Sequence, residues 1–471
     1  MDLPHHESVQ IAFSVVLLEE HQFSKSANGS GAFAVPGIGV LAGYPDHRQD
    51  SGRTVPKDGN DTDPDRIITD AIQKMNKNVQ ALIQQQLDDM RSHLWRMLPA
   101  LMLITSHIPN QAFAQSRDAE ACILEIMDST PVSGMSVAVV KKNRIVYSQS
   151  FGLKNIEKNT PLTDDCLFRI ASISKSFSAT AVMKLVESGK ISLDDDVGNL
   201  IGFRVRNPGF PDKVITVRML LSHRSSINDS QGYFTLDAID PDRNPDREKC
   251  FNQYEPGSAY MYCNLNYNML GAIIERVSGE RFDLHIRRHI LDPLGIEGGY
   301  CVDSLDRSRF ATIYEYRTDS NRFVASPAAY APRSEEIARY VMGRSTPVFS
   351  PTGGMKISAR GLAQYMMMHM NKGKQHGKRI MSRKSADKMQ CVISEKEGYG
   401  MAILTTTKLI PGKTLKGHTG SAYGLYSAMF FHPKEKFGIV VISNGCHPGT
   451  SDGYNSVIRK TINCLYEKIV R

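Results

Sequence analysis

The chain carries 14 histidines without a His-Glu-x-x-His or His-x-His-x-Asp spacing, and eight cysteines without a Cys-x-x-Cys. Those absences exclude zinc-hydrolase chemistry, a structural zinc and a thioredoxin-type redox centre. The glycines at positions 37, 39 and 43 miss the Gly-x-Gly-x-x-Gly spacing that wraps a dinucleotide. Neither a metal nor a cofactor is therefore expected. No apolar stretch has the length of about 20 residues that a membrane helix needs, so a stable membrane span is not expected either. Arginine-rich helices, zinc-finger spacings and basic-aromatic alternation are missing, although the net charge is +8. Lys and Arg are interleaved with Asp and Glu, which argues against a nucleic-acid partner and reads as solubility, with anionic cell-envelope material as the lesser alternative. There is no internal repeat and no low-complexity tract. What remains is ordinary globular material, 471 residues with 41% apolar content, enough for one large domain or two modest ones.

Residues 90–114 hold three parts in order: basic Arg91 and Arg96, the apolar run Met97-Leu-Pro-Ala-Leu-Met-Leu-Ile104, and Ala112-Phe113-Ala114. This is the order of a secretory signal cleaved after Ala114. The expectation is that translation starts at Met90 and that residues 1–89 are an upstream extension. Within it, residues 43–66 have the composition of disordered sequence and residues 67–89 have helical character. A genuine N-terminal extension with a short internal hydrophobic helix is the alternative. Export implies a periplasmic or secreted protein. All eight cysteines follow residue 115, so disulfides are permitted but not required. Cys122 and Cys464 fall in predicted terminal helices and could pair, with buried free thiols as the competing reading.

From residue 115 onward the pattern predicts a helix over 117–128, then Met135-Ser-Val-Ala-Val-Val140 and Arg144-Ile-Val-Tyr-Ser148 as a hairpin turning at 141–143. Residues 398–404, 425–431 and 437–443 are three further strand candidates, and a last helix is predicted over 454–470. Residues 160–390 read as mainly helical and loop-like. Strands from both ends of the chain would thus form one sheet around a helical middle.

Ser172-Ile-Ser-Lys175 precedes Phe177, Ala181, Val182, Leu185 and Val186, which recur at helical spacing until Gly189. A serine at a helix start and a lysine three positions on share one face. A hydroxyl attacks a carbonyl poorly unless a proton acceptor stands beside it, and the helix N-terminus offers N–H groups to a developing oxyanion. Ser385-Ala-Asp-Lys388 has the same spacing without a comparable amphipathic helix behind it.

The run from Phe168 to Gly189 resembles the active-site helix of class C β-lactamases and of the related D-alanyl-D-alanine carboxypeptidases and esterases, a group that carries Ser-x-x-Lys. Further matches follow in that family's order over residues 119–465. They are Ile215-Thr-Val-Arg-Met-Leu-Leu-Ser-His223, then Tyr262-Cys263-Asn264 as a Tyr-x-Asn motif, and His418-Thr419-Gly420 where the family has Lys-Thr-Gly. The resemblance implies an α/β (α+β) fold of β-lactamase/transpeptidase type, with an antiparallel β-sheet flanked by helices plus a mostly helical lobe. It implies catalytic roles for Ser172, Lys175 and Tyr262, with Lys175 or Tyr262 as the base or the two as a shared relay. Asn264 would hold the substrate's amide carbonyl, Thr419 and Gly420 would pair with its backbone, and the N–H groups of Ser172 and Ser421 would form the oxyanion hole. His418 departs from the family lysine and is neutral at pH 7 unless a neighbour raises its pKa. Ser225-Ser226 replaces the usual Thr/Ser-Gly pair.

Gly449-Thr-Ser-Asp-Gly453 has the spacing of a nucleophile elbow, but no histidine follows it. His447-Pro-Gly449 cannot serve as a substrate-pairing strand because proline has no N–H to donate. The expected protein is a monomeric serine hydrolase acting through an acyl-enzyme on a small-molecule or peptidoglycan-derived substrate: a β-lactam, a D-alanyl peptide or an ester. The alternative is a penicillin- or peptidoglycan-sensing module that binds without turnover.

Overall fold

The computed structural model describes residues 64–105 and 108–471, with side chains for residues 68–93 and 114–471. The chain divides into two units, Met1–His93 and Leu94–Arg471. Of the first, only helix is described: α1, Pro64–Thr105, begins there and runs on past the unit's end. The expected boundary between residues 89 and 90 falls inside this one helix. The glycines at 37, 39 and 43, and all of the featureless stretch except its last three residues, lie outside the described residues. The side chains of the apolar run at 97–104 lie outside them too. Among the described residues no helix is long and apolar enough to cross a membrane.

The second unit is built on a seven-stranded sheet whose two halves come from opposite ends of the chain. After helix α2, Ile108–Ser129, the strands are β1 Val132–Lys141, β2 Arg144–Asn155, β3 Thr160–Pro161, β4 Leu404–Thr406, β5 Leu415–Ala422, β6 Leu425–His432 and β7 Phe437–Cys446. Their order across the sheet is β4-β5-β6-β7-β1-β2-β3, and every neighbouring pair is antiparallel. The central pairing joins β1 to β7, with Val137 opposite Val441 and Val139 opposite Ile439.

These two strands are buried on both faces, which is why they read as continuous Val/Ile runs instead of alternating with polar residues. Val137, Val139, Ile439 and Val441 face a core shared with Ile123 and Ile126 of α2 and with Val457, Ile458 and Ile462. The latter three belong to the C-terminal helix Ser456–Leu465. Ala138, Val140, Val440 and Ile442 point the other way, into the core containing Phe177 and Met366. Full burial of each such Val or Ile contributes about 1.5–3 kcal/mol. On the outer face, Cys122 and Cys464 form a disulfide between α2 and the C-terminal helix.

The middle of the chain supplies α3 Ser174–Glu187, α4 Asn264–Ser278, α5 Ala359–Met370 and, after a short helix Arg383–Gln390, α6 Ser456–Leu465. It is not purely helical. Phe168–Arg169, Lys356–Ile357 and Gly298–Gly299 form a small three-stranded sheet, and Tyr314–Arg317 pairs with Arg322–Ala325. A correction concerns residues 398–404, expected as a strand. Gly398 and Ala402 have φ of 67° and 58°, which break extended backbone, so only Leu404–Thr406 joins the sheet. The elbow-like segment is a small hairpin, Thr450–Ser451 against Tyr454–Asn455.

The β1–β2 turn contains Lys142 and Asn143 with φ of 50° and 64°, so both central residues of this two-residue connection are left-handed. Lysine has no side-chain means of easing that conformation. Replacing the pair with Asn-Gly (Lys142→Asn with Asn143→Gly) is expected to raise the unfolding free energy by about 1 kcal/mol. Urea denaturation checks this, and an unchanged or lower midpoint contradicts the turn assignment.

Candidate active site

Strand Phe168–Arg169 is followed by Ile170, and Ala171 then takes φ of 44°. A single 3₁₀ turn, Ala171–Ile173, leads into α3 at Ser174. Ser172 therefore sits in the turn before the α-helix and not within its first turn. A left-handed alanine is sparsely populated backbone, held here by its surroundings. Strand β5 is one of them. A Cβ placed on Gly420 would lie 2.1 Å from the Ile170 carbonyl oxygen, and Ser427 on the neighbouring strand donates to that oxygen at 3.0 Å. Glycine at 420 is thus required for the sheet edge to reach the serine turn.

Lys175 is fully buried. Its Nζ lies 3.2 Å from Ser172 Oγ, 2.8 Å from Asn264 Oδ1 and 3.0 Å from the Thr352 carbonyl oxygen. Burial pushes its pKa down to about 7, while the negative charge of Asp229 resists the fall. The nitrogen also sits 4.7 Å from the ring centre of Tyr262. An ammonium beside a phenol favours loss of the phenolic proton. Burial acts more strongly and pushes the Tyr262 phenol up, with partial relief from Ser172. The enclosed Tyr262 hydroxyl has no hydrogen-bond partner of ordinary geometry.

Asn264 opens α4 and is oriented by Asp229. Asp229 Oδ2 accepts from the Asn264 backbone N–H and from Nδ2, both at 2.9 Å, and Oδ1 accepts from the Leu265 N–H at 2.9 Å. With Nδ2 turned to the carboxylate, Asn264 Oδ1 faces Lys175 and accepts from Thr352 Oγ1 at 2.9 Å. One N–H of the amide expected to hold a substrate carbonyl is thus engaged within the protein. Neither Asp229 nor Thr352 belongs to a motif quoted above, and both lie in loops, Asp229 just after the Ile215–His223 segment and Thr352 far from any motif. One sign was available for Asp229: Cys263, at the N-cap of α4, makes no side-chain cap bond, so the cap had to come from elsewhere.

His223 and His418 lie behind the site. His223 Nδ1 accepts the Cys263 N–H at 3.1 Å, and its ring packs on Tyr262 with centroids 4.2 Å apart. His418 is buried, with Nδ1 against the Thr419 carbonyl at 2.5 Å and Nε2 against the Tyr399 hydroxyl at 3.1 Å. Burial lowers its pKa to about 4, so it is neutral at pH 7 and carries no charge for a substrate. Ser226 adopts φ of 63°, the left-handed position at which the usual pair has glycine.

A cleft of about 430 Å³ opens over Ser172, lined by Tyr262, Asn264, Thr352 and Ser421 among others. His418, Thr419 and Gly420 are absent from its lining. Arg169, Tyr233, Phe234 and Tyr423 border it and were not anticipated. Ser385 and Lys388 lie within the helix Arg383–Gln390, Lys388 exposed, away from any Tyr-x-Asn partner. Among the described residues, Glu280, His285 and His289 bring potential metal-ligand atoms within 4.8 Å of one another, and none of the three lines this cleft.

The model of the Beta-lactamase family matches residues 119–460. Protein flp of Staphylococcus aureus (strain MRSA252) is 22% identical over 333 residues, covering 66% of this chain and 60% of that protein. Penicillin-binding protein 4* of Bacillus subtilis (strain 168) is 31% identical over 172 residues, 34% of this chain and 36% of that protein. The chain thus spans about 60% of the length of the first curated relative. Among solved structures, the octameric penicillin-binding protein homologue from Pyrococcus abyssi has a TM-score of 0.58 at 29% identity, covering 74% of this chain and 78% of that one. EstCE1, a hydrolase with promiscuous acyltransferase activity, has a TM-score of 0.61 at 21% identity, covering 74% and 99%. The D-amino acid amidase of Ochrobactrum anthropi SV3 has a TM-score of 0.58 at 23% identity, covering 75% and 99%. The last two likenesses show the fold.

Removing the Asp229 carboxylate would leave the start of α4 uncapped and the Asn264 amide free to turn. Asp229→Ala is expected to lower the unfolding free energy by about 2–3 kcal/mol. A loss below about 0.5 kcal/mol in urea denaturation would show that the three N–H donors around Asp229 find other partners.

Proposed function

The chain belongs to the beta-lactamase family, and we propose that within this fold it is a serine hydrolase that forms an acyl-enzyme on Ser172. The observation that carries this reading is the placement of Lys175 Nζ among Ser172 Oγ, Asn264 Oδ1 and the Thr352 carbonyl. An ammonium has three N–H groups and matches all three acceptors. A neutral amine has two. Spent on Asn264 and Thr352, they leave the nitrogen lone pair facing the serine hydroxyl. A pKa near 7 makes that neutral form well populated at neutral pH.

As Ser172 Oγ bonds to the substrate carbonyl carbon, its proton passes to Lys175 Nζ. The carbonyl oxygen, now negative, is met by the N–H groups of Ser172 and Ser421. Tyr262 stays protonated because burial disfavours the phenolate, so it acts as donor to the departing nitrogen or oxygen and recovers a proton from the Lys175 ammonium. Water then attacks the acyl carbon, loses its proton to the same pair, and Ser172 leaves with its hydroxyl restored. The substrate is a β-lactam, a D-alanyl peptide or an ester carbonyl, as the family resemblance implies. The exposed Phe234 beside Tyr233, ring centroids 4.5 Å apart, gives the cleft an aromatic wall for an apolar acyl group.

Ser172→Ala is expected to abolish covalent labelling by a fluorescent penicillin or a chromogenic ester and to lower hydrolysis by roughly 10³-fold or more. Labelling that persists in the variant removes Ser172 from the mechanism. The pH dependence has a definite sign. The base must be unprotonated, so kcat/KM rises as pH increases through about 7 and is lost below it. A profile flat between pH 5 and 8 would exclude Lys175 as the base.

A further inference from the structure

A side-chain cluster apart from the Ser172 cleft lies where α4 ends. Gly279 closes that helix with φ of 74°, Glu280 follows, and a new helical run begins at Phe282. The run continues through a π turn, Arg287–Leu291, to Leu294. It carries His285 and His289, four positions apart and therefore on one helical face. This His-x-x-x-His spacing differs from the His-Glu-x-x-His and His-x-His-x-Asp spacings that the chain lacks, so the expectation of no metal does not reach it.

Glu280 Oε2 stands 2.7 Å from His285 Nδ1 and 2.8 Å from His289 Nε2, and the two rings have centroids 4.4 Å apart. One ligand atom from each residue lies within 4.8 Å of the other two. A tetrahedral zinc with bonds of about 2.0–2.1 Å needs its ligand atoms about 3.3 Å apart, so the Glu280 oxygen has to withdraw by only about half an ångström. His285 is buried and its Nε2 has no partner, which leaves Glu280 as the polar group that fixes this ring. The three residues line a pocket of about 470 Å³ together with Lys184, Glu187 and Lys190, at and just beyond the end of α3. Water can therefore fill a fourth coordination position.

The neighbouring positive charges do not block the site. Arg288 pairs with Glu280 Oε1, but its side chain is 69% exposed and such a pair is weak, so it can yield the carboxylate. Lys184 Nζ is held by the Ile380 carbonyl at 2.9 Å. Lys190 is exposed, as is Glu187 of opposite sign.

We propose that Glu280, His285 and His289 bind one divalent transition-metal ion, zinc being the ion that two imidazoles, a carboxylate and a water suit best. Magnesium and calcium prefer all-oxygen ligand sets. The ion braces the turn after α4 against the helical run that follows it. None of its ligands lines the Ser172 cleft, so it takes no part in acyl transfer, and the inference stands independently of the hydrolase reading.

The test uses the full chain, stripped with EDTA and dialysed, then titrated calorimetrically with zinc chloride and in parallel with cobalt chloride, whose visible absorption intensifies in a tetrahedral site. The variants are His289→Ala, Glu280→Gln and, as a control, His376→Asn at an exposed turn histidine outside the cluster. One zinc per chain is expected, with micromolar or tighter affinity. Both cluster variants weaken it by about 100-fold or more, beyond the cost of losing an outer partner, while the control does not. Zinc raises the thermal midpoint of the wild type and of His376→Asn only. Urea midpoints of the metal-free variants show whether each still folds. X-ray absorption at the zinc edge of the loaded wild type needs no substitution, and it is expected to show two imidazoles with oxygen neighbours. Absence of binding by the wild type, an affinity unaltered in either folded cluster variant, or an edge spectrum without imidazole scattering overturns the proposal. Each of those results leaves the cluster as a hydrogen-bonded support for the helical run.

Discussion

The arrangement around Ser172, and the chemistry proposed for it, depend on one buried amine. Lys175 sits where no water reaches it, and its charged form is tolerated only because Asp229 lies near and three acceptors surround the nitrogen. Burial alone would drive the amine fully neutral, and a close ion pair would keep it fully charged. The separation of Asp229 from Lys175 by the Asn264 amide gives an intermediate result: the carboxylate is felt without being touched. A group near balance between its two forms can accept a proton and return it, which a surface lysine at its ordinary pKa does poorly.

That balance places demands on the elements around it. Asp229 serves as helix cap, amide orienter and source of negative charge through a single carboxylate. The loop carrying Thr352 supplies a backbone acceptor that cannot be removed by a side-chain change. Gly420 lets the sheet edge close on the Ile170 carbonyl, so the serine turn is pinned between strand and helix. Within the seven-stranded sheet the first and last strands in sequence, β1 and β7, pair with each other, a contact that joins the two ends of the domain.

The aromatic and histidine cluster behind the cleft has a complementary role. Tyr262, His223, Tyr399 and His418 pack on one another, and burial raises the phenols and lowers the imidazoles. Each is held in its neutral form. The titratable groups near Ser172 thus divide into a neutral aromatic wall, one amine near balance, and the charge of Arg169 on the cleft side.

The sequence alone determined the helix that follows Ser172, the strands that the two ends of the domain lend to one sheet and the order of the motifs, because each rests on local spacing: Ser172 three residues before Lys175 at a helix start, Val-Ala-Val-Val in a strand, Tyr262-x-Asn264 at the start of a helix. It left open whether Cys122 meets Cys464, and it assigned residues 398–404 to a strand that two left-handed residues interrupt. It could not name Asp229, Thr352 or Arg169, since these act by converging on the site from separate loops and a short strand. Nor could it decide which way the proton equilibria of Lys175, Tyr262 and His418 move. Those directions come from desolvation and the distances between charges, which exist only once the chain has closed around them.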